Sequence, residues 1–199
     1  MKIFGNKRTN RPSTEVYATG AEFCRVFEED MDRLYLLSLL LTADSELAKQ
    51  CLVRGLEDSR GGNPVFKEWA RSWARRMIIK NAIRMIGPRP GLSSPFVRSS
   101  ARKNTPGLPE RLAGIIDLPA FERFVFVMSV LEGYSARDCR LLLNCSNFDV
   151  AQARVQALQQ LAKSAEAFGK TQERDSQPAT EDPETRLRQE LIAEFAASA

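Results

Sequence analysis

The sequence predicts an all-α protein: two small helical domains joined by a flexible linker, the second containing a helix-turn-helix. Three observations lead there. Apolar residues recur at steps of three and four from Phe23 to Leu41, and a dense apolar run follows Pro119. No segment reads clearly as a strand, and no internal repeat is present. Between the two helical stretches, Pro88, Pro90, Pro95, Pro106 and Pro109 interrupt a serine-containing segment that suits a linker.

Each element has its own reason. Residues 1–20 are polar, contain Pro12 and Gly20 and show no period, so they read as a flexible arm. The first domain spans 21–87. Its first helix carries Phe23, Phe27, Met31, Leu34, Leu37 and Leu41 as one broad apolar stripe. Thr42-Ala43-Asp44-Ser45 breaks that helix and offers N-cap side chains for a second, which runs to about Leu56 with Leu47, Ala48, Cys51, Leu52 and Leu56 inward. Arg60 to Pro64 is a loop. A third helix from about Val65 to Ile86 ends at Gly87-Pro88, with Phe66, Trp69, Trp73 and Met77 on its apolar, core-facing side.

The linker covers 88–109 and the second domain 110–166. Pro119 opens a helix that is apolar almost all round, from Phe121 to Leu131, and Gly133 stops it. Ser135-x-x-Asp138 and Ser146-x-x-Asp149 are capping boxes that open two further helices, with Asn144-Cys145 as the turn between them. Leu141, Leu142, Val150, Ala153, Ala157 and Leu161 hold that pair together. In such a box the Asp149 carboxylate turns back to the helix start. Residues 167–199 form an acidic tail: Lys170 to Thr180 is low in apolar residues, and Asp182-Pro183 opens a short helix over 183–197 with Leu187, Leu191 and Phe195 on one face. The tail's acids and the basic block described next suggest that it folds back on the first domain.

Composition narrows the function. Histidine is absent, which removes Ser-His and Cys-His catalysis and histidine-ligated zinc. Cys24, Cys51, Cys139 and Cys145 form no CxxC pair and sit in or beside apolar helical patterns, as free thiols in a reducing cytoplasm do. Gly61-Gly62 is a turn and not a P-loop, since no GKS or GKT follows. No catalytic residue, metal site or cofactor is expected, so the chain reads as a cytoplasmic non-enzyme. No apolar run suits a signal peptide or a membrane span, and no membrane partner is expected. Charge is strongly segregated. Residues 60–103 hold eleven Lys/Arg against Glu68 alone, whereas 15–59 hold four against ten and 166–199 four against eight. A basic block of that density points to a polyanion, nucleic acid first.

Two stretches together resemble a known family. Leu118-Pro119, Glu122-Arg123, Phe126-Val127, Glu132-Gly133-Tyr134-Ser135, Leu141-Leu142, Cys145-Ser146 and Val150 resemble region four of the extracytoplasmic-function group of bacterial RNA polymerase sigma factors. Residues 22–86, with Leu34-Tyr35, the Thr42-Ala43-Asp44 turn, Ala48 and Phe66-x-x-Trp69, look like region two of the same family. The resemblance covers about 120 residues and implies a transcription initiation factor that binds RNA polymerase core and reads promoter DNA with its two helical domains. An anti-sigma factor is a further partner that such a protein can have.

Residue by residue, Arg76, Lys80 and Arg84 lie at i, i+4 and i+8, with Arg71 and Arg75 on the adjoining row; the five are candidate phosphate contacts, set opposite the Phe66, Trp69 and Trp73 side. Glu68 is the only acid nearby in sequence to pair with them. On the helix after the turn, Ser146, Asn147, Gln152, Arg154 and Gln156 are the candidate DNA contacts, since amide side chains can read adenine edges. The resemblance assigns polymerase contact to the second helix, here Lys49, Gln50, Leu52 and Val53. At these positions Lys49-Gln50 replaces the family's acids and Val53 its glutamine, while Ala151, Ala153 and Gln156 stand where the family has Lys or Arg. Alternatives are a diverged sigma-like regulator or adaptor acting through protein contacts, and an unrelated helix-turn-helix DNA binder.

Overall fold

The computed structural model describes residues 16–91 and 110–172, with Gln189 alone beyond them; side-chain burial is described for 16–91 and 112–165. The chain is all-α. Among the described residues the only β pairing is an isolated antiparallel bridge between Tyr17 and Phe66. The helices with bounds among the described residues are α1 (Gly20–Glu29), α2 (Met31–Thr42), α3 (Ser45–Gly61), α4 (Ala70–Ile86), α5 (Glu110–Ile116), α6 (Ala120–Phe126), α7 (Ala136–Leu143) and α8 (Asn147–Gln172). A 3-10 turn over Lys67–Trp69 leads into α4, and α6 continues as a π turn over Val127–Leu131.

The expected first helix is two. Asp30 leaves the helical region, at φ −106° and ψ 20°, and separates α1 from α2. The break lets α2 turn into the molecule, where Leu34, Leu36, Leu37, Leu39, Leu40 and Leu41 are all buried. Met31, expected in the apolar stripe, is exposed because it sits in this corner. Ala43 ends α2 in the left-handed region at φ 56°, and Asp44 caps α3 by accepting from the amides of Glu46 and Leu47, each at 2.9 Å. The α3 helix continues past Leu56 to Gly61. Gly55 sits in it where a Cβ would lie 2.5 Å from Cδ1 of Ile78, so glycine is what lets α3 and α4 approach closely.

Residues 16–20 are fixed, although the sequence suggested an arm to residue 20. The Ala18 amide donates to the Val65 carbonyl at 2.7 Å and Lys67 N to Val16 O at 3.1 Å. Thr19 and Glu22 then form a capping box for α1. That pairing keeps Val65 and Phe66 extended and delays α4 to Ala70.

In the second half, α5 contributes Leu112, Ile115 and Ile116 to the interior, and α6 is buried on every side from Phe121 to Phe126. Both serines cap as expected, and the second makes a full capping box. Ser135 Oγ accepts from Asp138 N at 3.1 Å; Ser146 Oγ accepts from Asp149 N at 3.1 Å, while Ser146 N donates back to the Asp149 carboxylate at 2.8 Å. Asn144 makes the turn with φ 50°. Leu141 is 60% exposed, against expectation; Cys139 and Leu143 take its place in the interior. The α8 helix extends to Gln172, beyond the expected end near 166.

The two halves were expected to have separate cores. Instead their buried side chains form one cluster. The α2 helix is the shared wall, touching α3 and α4 on one side and α5, α6 and the π turn on the other. Arg123 fastens the junction. It is 3% exposed and donates to the carbonyls of Leu41 at 3.2 Å, Ile116 at 3.2 Å and Leu118 at 3.0 Å. Residues 1–15, segment 92–109 of the expected linker and all but Gln189 of the expected tail helix over 183–197 lie outside the described residues.

Candidate functional site

The α4 helix carries the basic row, and its packing sorts that row into two sets. Small and medium apolar side chains (Ala70, Ala74, Met77, Ile78, Ile79, Ala82) face the core. The aromatic residues expected there stand at the edge: Trp69 is 56% exposed and Trp73 half-buried. Trp73 still packs against the core from this edge.

Three of the five arginine and lysine candidates are held by acids far away in sequence, which corrects the expectation that Glu68 was their only possible partner. Arg71 pairs with both Glu29 and Asp30 at the α1–α2 corner. Arg84 donates to Asp58 of α3 at 2.7 Å. Arg75 lies 3.5 Å from Glu132, whose side chain is only 3% exposed. Burial pushes the Glu132 carboxyl above the usual carboxylate range, and Arg75 partly opposes that. These pairs cross from one helix to another, so a scan along the sequence could not detect them.

Arg76 and Lys80 remain. Neither has an ion-pair partner among the described residues. Steps of four, three and four place Trp69, Trp73, Arg76 and Lys80 along one side of α4, so these cations share a face with the tryptophans instead of opposing it. That face forms one wall of an open groove of ≈ 700 Å³, closed by Asn63 to Phe66 below and by Tyr134 and Asp138 from the second half. Burial raises the pKa of the Tyr134 hydroxyl, and the Arg76 guanidinium facing it works against the rise. Phe66 stacks on Tyr17 at 5.0 Å between ring centres and meets Trp69 edge-on at 5.1 Å. The Trp73 indole Nε1 is buried without an acceptor. Sequence reasoning passed over Tyr134 as a contributor because about sixty residues separate it from α4.

The second candidate surface is the outer side of α7 and α8. Ser146 is exposed but its hydroxyl is committed to the cap. Asn147 and Gln152 are exposed, and Arg154 and Gln156 partly so. Apolar side chains accompany them: Phe148 is 73% exposed and Val155 53%. Asp149, as expected, is turned to the helix start, and the Ser146 bonds hold its carboxyl below the usual range. On α3, Lys49, Gln50 and Val53 are exposed and Leu52 half-buried, with Lys49 paired to Glu46 at 2.6 Å. These residues do not meet the groove or the α8 surface in any contact shown.

No helix among the described residues is long and apolar enough to cross a membrane, and no group of three or more potential metal ligands occurs among them. Comparison with protein-family models, with curated proteins and with solved structures gives no match for this chain in any of the three.

Proposed function

We propose that the protein is a sigma-like transcription initiation factor, binding RNA polymerase core and directing promoter DNA recognition. In this reading α1–α4 and α5–α8 act as two recognition domains joined through 92–109, and α7, Asn144-Cys145 and α8 form a helix-turn-helix. The observation that carries it is the α4 face, on which Arg76 and Lys80 stand unpaired beside Trp69 and Trp73. Unpaired cations beside exposed aromatic rings suit a phosphate backbone with unstacked bases. Support also comes from the exposed amides of Asn147 and Gln152 on a helix whose start is closed by its own capping box. Neutralising Arg76 and Lys80 together should weaken DNA binding and lower its logarithmic salt slope by about two. Neutralising Arg71 or Arg84, which are already paired, should change the slope little. The whole reading is tested by adding the purified chain to core polymerase and sequencing the transcripts made from sheared genomic DNA. Transcripts with defined starts that depend on the chain support it; their absence, with no complex on gel filtration, defeats it.

A second reading, a sigma-like regulator or adaptor working through protein contacts, is favoured by one observation. Leu141, Phe148 and Val155 are strongly exposed where a DNA-reading surface would carry cations. A chain that binds polymerase yet supports no specific start would be this adaptor.

A further inference from the structure

The groove has a chemistry that long duplex DNA does not use up. Its lining combines ring faces, two unpaired cations and a carboxylate within ≈ 700 Å³, a volume in the range of small-ligand sites. Its walls come from both halves of the chain, α4 on one side and Tyr134 and Asp138 on the other. We propose that this groove binds a free nucleotide: a nitrogenous ring joined through a sugar to phosphate. The ring lies against Trp69 and Trp73, since every base presents a π face to an aromatic side chain. The phosphates meet Arg76 and Lys80, neither of which is in ion-pair contact with an acid among the described residues. Asp138 is bonded through one oxygen to Ser135 Oγ at 2.5 Å, which leaves its other oxygen to accept from a sugar hydroxyl. Trp73 adds an independent sign of unfinished bonding. Its Nε1 is a buried donor with no acceptor, a state that favours any rearrangement bringing an acceptor to it. A ligand seated here touches both halves at once, so it binds best while they are packed together.

The proposal gives to a free nucleotide the same α4 face that the proposed function gives to DNA, and the protein carries a built-in reporter for it. The chain has two tryptophans, and both line the groove. Intrinsic fluorescence of the full chain should be quenched saturably by ATP or GTP. Adenosine alone and pyrophosphate alone should each bind at least tenfold more weakly than the joined molecule. The double variant Arg76→Gln/Lys80→Gln should lose at least tenfold in affinity. Arg25→Gln, on the exposed side of α1, should bind as the parent does. Circular dichroism melts of both variants, expected to match the parent, separate lost binding from lost folding. Three results overturn the proposal: no saturable quench at millimolar nucleotide, pyrophosphate binding as tightly as ATP, or an unaffected double variant. A fourth is a single-stranded dT oligomer binding far more tightly than any mononucleotide, which makes the groove a strand channel. Failure of the polymerase and DNA experiments leaves this titration unchanged, so the two ideas fall separately.

Discussion

At the scale of single residues, Arg123 and Glu132 are charges placed where water cannot reach, and each is held by a different device. Arg123 has three backbone carbonyls as acceptors, and two of them belong to the segment just before it. Replacing it with alanine removes the donors and orphans all three carbonyls, so Arg123→Ala should cost about 3 kcal/mol. A urea titration should show a lower midpoint with an unchanged m-value. A loss under about 1 kcal/mol would mean that the carbonyls find other donors. Burial lowers the pKa of Arg123 to about 10, well below that of an ordinary guanidinium. The cost of keeping it charged is therefore present below pH 10 and relieved only above it. Glu132 behaves in the opposite sense. Its folded pKa is raised above the ordinary 4.5, so protonation favours the folded chain. Its contribution is largest at low pH and is lost as pH rises through the folded value. Compared with Glu132→Gln, the parent should lose stability between pH 5 and pH 8; paired denaturation curves at the two values give the difference directly.

At the scale of elements, the helix contacts rest on a few small residues, and Gly55 is the sharpest case. A methyl group there meets Ile78 Cδ1 at 2.5 Å, and Ile78 is fully buried with little room to turn away. Overpacking costs roughly 1–3 kcal/mol, offset by about 1 kcal/mol of helix propensity gained on replacing glycine. Gly55→Ala should therefore destabilise by about 1 kcal/mol. Adding Ile78→Val, which deletes the clashing carbon, should recover most of that, and a double-mutant cycle measures the coupling. If the two changes simply add, the close approach is not what sets the cost.

The same elements show what the sequence could and could not disclose. The caps were legible wherever a serine or threonine precedes an acid by three: Ser135 and Ser146 were read correctly, and Thr19-x-x-Glu22 was there to be read. Burial around α6 followed from its density of apolar residues. The break at Asp30 was not legible, because the step from Phe27 through Met31 to Leu34 keeps a perfect helical rhythm across the corner. The sidedness of α4 was misread for a related reason. Bulky aromatic residues are expected on the inner face, but Ala70, Ala74, Met77, Ile78, Ile79 and Ala82 fill it, with Ile78 against Gly55. The candidate groove was half visible: Trp69, Trp73, Arg76 and Lys80 share a helix. Tyr134, Asp138 and the acids that disarm Arg71, Arg75 and Arg84 arrive through tertiary contacts, which leave no local trace.

At the scale of the whole molecule, the single core makes the two halves depend on one another. Both draw on α2, and both lose an interior partner if the other unfolds. Denaturation followed by tryptophan fluorescence, which reports on α4, should coincide with denaturation followed by helical circular dichroism, which reports on every helix. Separate transitions would show that the halves stand alone. The Arg123 junction also decides how the chain can be divided. Among the described residues the halves are held directly by the shared core and by Arg123 across it. Residues 1–91 and 92–199 expressed as two separate chains should then reassemble into a one-to-one complex that elutes as the intact protein does. Arg123→Ala should loosen that complex while leaving its stoichiometry unchanged. Energetically, this polypeptide is a heterodimer whose two subunits are synthesised already tied together.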